Sequence, residues 1–138
     1  MAATIAEVRE TVFAVSADSR RAVRLSAFLA CAGTMHFVAP KFYDAMIPEA
    51  LPGTPRMWTY GSGVAELGTA AAILAPRTRR TGGLAAAWMF AAWLPGNVKM
   101  AVDARKSDST AFRIGTLLRL PMQWPLISWA LKVRGSAR

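Results

Sequence analysis

One cysteine, one histidine and eight acidic residues are what this chain of 138 residues offers for the commonest kinds of site chemistry. Cys31 by itself cannot form an internal disulfide, a CxxC dithiol or a cysteine-rich metal site. His36 by itself cannot build a bis-histidine haem site or a three-histidine zinc site. Redox chemistry would have to be borrowed from a cofactor or a partner, and no metal site is expected. Acidic residues are also too few to balance seventeen Lys and Arg, which leaves a net charge of +9. On a soluble domain that excess would suggest nucleic acid. Here the Arg residues stand in short clusters between apolar stretches and not along one amphipathic face, so no nucleic-acid partner is expected. A cleaved leader is not expected either, because the first nineteen residues carry Glu7, Arg9, Glu10 and Asp18 and lack a long apolar run.

What is abundant is apolar: 54% of the residues are hydrophobic, more than one small core can hide. Four stretches reach the roughly 17 to 25 residues that a membrane-crossing helix needs, at about 22–39, 57–76, 82–102 and 112–133. The sequence therefore predicts an all-α fold, a bundle of four transmembrane helices in residues 22–133. Residues 1–21 are expected to form an amino-terminal cytoplasmic segment, with Ile5, Val8, Val12 and Val15 spaced for a short interfacial helix, or else a frayed extension. Residues 134–138 form a basic cytoplasmic tail. Counted by side, ten basic residues fall with the two ends and six on the opposite side. That asymmetry predicts a multi-pass protein with both termini in the cytoplasm. The connection from Pro40 to Arg56 holds Phe42, Tyr43, Met46, Ile47 and Leu51 among four prolines, and is expected to be a partly embedded outer lid.

Strongly polar residues inside such spans are costly and turn inward to meet one another. They are His36, Glu66, Asn97, Arg119 and Gln123, at least one on each helix and all expected in the outer half of the bundle. Arg119 and Gln123, four apart, share a helix face. Ser62, Glu66, Thr69 and Ala70 form a face small enough for close helix approach. Pro95 and Pro121 are expected to kink their helices beside Asn97 and Gln123. Glu66 and Arg119 are the expected electrostatic core, either as part of a ligand pocket or as an ion pair that only fixes helix register. His36 is the one group that titrates near neutral pH, or else a hydrogen-bonding end residue. Asn97 either lines the pocket or bonds a freed carbonyl. Cys31 lies about 140° around the helix from His36 and is expected to face away as a small packing residue.

These residues sit in blocks that resemble the DoxX-like family of small four-helix membrane proteins. The blocks are Gly33 to Pro40, then Phe42, Ile47-Pro48 and Leu51-Pro52; Ser62-Gly63 with Glu66; Pro95-Gly96-Asn97 with Met100; and Arg119 to Gln123. They occur in order from about Arg24 to Val133. The resemblance implies a four-helix bundle in a prokaryotic plasma membrane and an association with quinone-linked or thiol and superoxide chemistry, without fixing one reaction. Gly96 stands where the family's third block often has Ala.

Taken together, the expectation is an accessory subunit of a membrane oxidoreductase, not catalytic by itself, that holds a quinone headgroup or small polar ligand near His36, Glu66, Asn97, Arg119 and Gln123. No other cofactor is implied. The lipid bilayer, an oxidoreductase and a second copy of the chain are the expected partners. A proton-coupled transporter with Glu66 as charge carrier and a purely structural membrane scaffold are the alternatives.

Overall fold

A computed structural model describes residues 2–136, with side chains from residue 17 onward. Among the described residues every regular element is helical: α1 (Ala2–Val38), α2 (Pro40–Asp44), α3 (Pro55–Leu74), α4 (Arg79–Ala92), α5 (Leu94–Asp103), a 3-10 turn (Ala104–Lys106) and α6 (Thr110–Gly135). The breaks follow local chemistry. Thr54 accepts a hydrogen bond from the Met57 amide and Pro55 opens α3, whereas Ser109 accepts from the Phe112 amide to start α6. Beyond α3, the Arg79 guanidinium donates to the Ile73 and Leu74 carbonyls, which have run out of helix partners.

The expected transmembrane bundle is overturned: among the described residues no helix is long and apolar enough to cross a membrane. The third expected span is two helices meeting at Trp93, just before Pro95. Their 14 and 10 residues reach only about 21 and 15 Å, short of a hydrocarbon core of about 30 Å. The other three helices have the length but not an unbroken apolar run. Arg20, Arg21 and Arg24 interrupt α1, Glu66 lies amid Thr, Ser and Gly on α3, and Arg113, Arg119 and Gln123 punctuate α6. Much of the hydrophobic percentage is Ala, which adds little to transfer free energy per residue. The multi-pass topology, the cytoplasmic ends and the plasma-membrane location drawn from it fall with the spans. The amino-terminal segment is not a separate interfacial helix either, since α1 continues without a break through Arg21 and Ala22.

α1 packs chiefly on α3, and α4 on α6, with α3 and α4 joining the two pairs. The core fills one end of the molecule, where Leu25 and Leu29 of α1, Ile73 of α3, Phe90 of α4 and Val133 of α6 are fully buried. Burying each such side chain is worth about 1.5 to 3 kcal/mol. Small residues line the remaining inward faces, while Trp88 and Trp124 are left 70% and 75% exposed. The opposite end, reached by the last turns of α1 and the first turns of α3 and covered by α2, carries the buried His36 and Thr59.

Candidate functional site

The site begins with two glycines. Gly33 and Gly63 meet at the crossing of α1 and α3. A Cβ on Gly33 would lie 3.0 Å from the Gly63 carbonyl oxygen, and a Cβ on Gly63 would lie 2.7 Å from the Phe37 ring and 2.9 Å from His36 Cβ. Only glycine lets the backbones come this close. One turn along from each glycine, on the same helix face, stand His36 and Glu66. Their side chains face each other, with His36 Nε2 3.1 Å from Glu66 Oε1. Glu66 has no exposed surface and His36 only 6%.

The two groups are within ion-pair distance but off the line of a hydrogen bond, and both nitrogens of His36 and both oxygens of Glu66 lack a hydrogen-bond partner among the described residues. Burial pushes the Glu66 carboxyl up to about 8 and lowers the His36 imidazole from its ordinary value. Both shifts disfavour charge, as expected where no water solvates it. Burial thus favours the uncharged form of each group.

Tyr43 closes the site from above. Its ring packs edge-on against His36 at 3.7 Å between centroids. Burial, and next the nearby Glu66, raise the Tyr43 hydroxyl, while Arg119 pulls the other way. Tyr43 is carried by α2, which is pinned at Asp44. The Asp44 carboxylate accepts from Arg56 Nε and Nη2, the latter at 2.8 Å, and from the buried Thr59 hydroxyl at 2.7 Å. Those bonds, from Arg56 foremost and then Thr59, hold the Asp44 carboxyl below the usual range.

Of the residues predicted from sequence, His36, Glu66, Asn97 and Gln123 are buried. The expected electrostatic core of Glu66 and Arg119 is not drawn together: Glu66 meets His36, and Arg119 is exposed, its charge acting on the Tyr43 hydroxyl. Gln123, one turn from Arg119, is buried, and its Oε1 has no hydrogen-bond partner among the described residues. Asn97 lies on the inward face of α5, where its amide N–H donates to the Trp93 carbonyl across the Pro95 break. Cys31 is exposed and free, so it is not the packing residue expected. Among the described residues no group of three or more His, Cys, Asp and Glu side chains is arranged to hold a metal ion.

Sequence reasoning missed Tyr43, Asp44 and Thr59 as site residues. One signal was present: Gly33 with His36 and Gly63 with Glu66 share the same spacing, a contact glycine three residues before an ionisable group.

Residues 25–134 match a family described as a domain of unknown function (DUF8561). The chain belongs to that family. Its matched region takes in every site residue named above, from His36 on α1 to Gln123 on α6. No curated protein and no solved structure matches the chain.

Proposed function

We propose that this protein is a binding subunit, not catalytic by itself, that holds a small neutral ligand at the His36–Glu66 pair beneath Tyr43. The observation that carries the reading is a set of buried polar atoms without hydrogen-bond partners among the described residues: His36 Nδ1 and Nε2, Glu66 Oε1 and Oε2, and Gln123 Oε1. Leaving such atoms unpaired costs about 1 to 3 kcal/mol each, so a group that satisfies several of them is bound with a built-in advantage. The set contains donors and acceptors together. A protonated Glu66 and a neutral His36 each offer one N–H or O–H and one lone-pair acceptor, and Gln123 Oε1 accepts.

A ligand matching that set is uncharged and both gives and takes hydrogen bonds. A quinone-type headgroup fits: its carbonyl accepts from the Glu66 hydroxyl or the His36 N–H, and the hydroxyl of the reduced form donates to an acceptor of the same pair. An anion matches less well, because burial disfavours charge on both groups and Arg119 is exposed outside the pair. The blocks that resemble the DoxX-like family support placing such a ligand in the service of an oxidoreductase partner.

The test is a thermal shift with a short-chain benzoquinone and its quinol. Binding to the folded state alone raises the melting temperature in a concentration-dependent way. The wild-type protein should show that rise, Glu66→Gln, which still offers a donor and an acceptor, should keep it, and Glu66→Leu, which offers neither, should lose it. An unmoved wild-type melting temperature at saturating quinone and quinol would reject the reading.

A further inference from the structure

The His36–Glu66 pair is covered by a short segment of the chain whose attachments are few and polar. α1 ends at Val38, and Ala39 has left helical geometry before Pro40 starts α2. At its far side the segment ends at Gly53, whose φ of +88° is the left-handed backbone that glycine takes without strain. Between these two bends the cover is held by three sets of bonds. Asp44 is gripped by Arg56 and Thr59 of α3. The Ala45 carbonyl accepts from Lys99 Nζ at 3.1 Å. The Pro52 carbonyl accepts from the Trp58 indole N–H at 2.7 Å. No side chain of α2 itself is fully buried, although Tyr43 rests on His36. Open clefts flank the segment on both sides: one of about 310 Å³ includes Pro40, Phe42 and Arg56, and one of about 760 Å³ includes Pro48, Pro95 and Lys99.

We infer that residues 40–54 form a hinged cover and that Asp44 is its latch, holding Tyr43 over His36 until α2 swings out. Asp44 is thus a positioning residue: it touches neither His36 nor Glu66, and acts by keeping the adjacent Tyr43 in place. The geometry favours this element over others because all its bonds to α3 but the one from Trp58 converge on one carboxylate, while the helices beneath are locked by the Gly33–Gly63 crossing and by the buried Ser26 hydroxyl, which donates to the Ala70 carbonyl. Swinging α2 out breaks the Asp44 bonds and leaves that crossing intact.

The inference deepens the binding reading, but its test needs no ligand. His36 is the one histidine of the chain, so its ethoxycarbonylation by diethyl pyrocarbonate reports access to the site directly and can be followed by the mass of the peptide that carries it. Asp44→Asn and Thr59→Val should each speed His36 modification several-fold. Asp18→Asn, which removes an ion pair with Arg21 far along α1, should leave the rate unchanged. Amide hydrogen exchange in the overlapping parts of α1 and α3 should stay at wild-type levels in all three variants. An unchanged modification rate in both latch variants would overturn the proposal. So would faster modification accompanied by equally faster exchange in α1 and α3, because that pattern is general loosening. If the latch variants behave as expected while quinone gives no thermal shift, the cover stands and the ligand assignment fails.

Discussion

Gly33 and Gly63 face each other across the crossing of α1 and α3 with no room for a side chain on either. That contact sets the distance between the helices and so the 3.1 Å approach of His36 to Glu66. Gly63→Ala drives a methyl group against His36, Phe37 and the Gly33 carbonyl and should cost about 1 to 3 kcal/mol as an overpacking change. The gain of about 1 kcal/mol in helix propensity offsets only part of it. Gly61 and Gly68 lie on the same helix with nothing within 4 Å of a built Cβ, and there the same substitution to Ala should stabilise by up to about 1 kcal/mol. Urea unfolding of the three single variants checks the contrast.

The pH dependence of stability should carry the mark of Glu66. Its carboxyl titrates near 8 when folded, against 4.5 as the ordinary value. Between those values the unfolded chain releases a proton that the folded chain keeps, so stability falls as pH rises, and the loss is complete above 8. His36 is shifted down from 6.5, so it acts in the opposite sense, and only below about 6.5. From there to pH 8 Glu66 acts alone, with an expected slope on the order of 1 kcal/mol per pH unit. Glu66→Gln should remove that slope and be more stable than wild type at pH 8. Urea midpoints taken at several pH values read it.

Much of the site was legible in the sequence, and the part that was not has a physical reason. His36, Glu66, Asn97 and Gln123 stood out because polar groups among apolar residues must turn inward, and all four are buried. The break at Trp93 was visible in Pro95. The partner of Glu66 was not visible, because charge type favours Arg119 while the distance is set by how closely two backbones pass, and that depends on glycines in different helices. The membrane-spanning expectation failed for a related reason: a composition-level hydrophobic fraction counts Ala as fully as Leu, and ignores where Arg, Thr and Pro interrupt a run. The α2 latch could not be anticipated, since Asp44 and Arg56 are twelve residues apart in a loop without periodicity.

The core should prove confined to the end of the molecule away from the site. Phe90 is fully buried against Phe28 and Trp93, and Phe90→Ala should cost about 3 to 5 kcal/mol. Trp88 on the same helix is 70% exposed, and Trp88→Ala should change stability by no more than about 0.5 kcal/mol. Thermal or urea unfolding of the two variants separates them.

The most direct measurement is nitrogen-15 NMR of the imidazole, which needs no assignment because His36 is the one histidine. The account predicts ring nitrogens that leave the neutral pattern only at a pH below the ordinary 6.5 and that shift when a short-chain benzoquinone or its quinol is added. An imidazole that titrates at its ordinary value and ignores both compounds would contradict it.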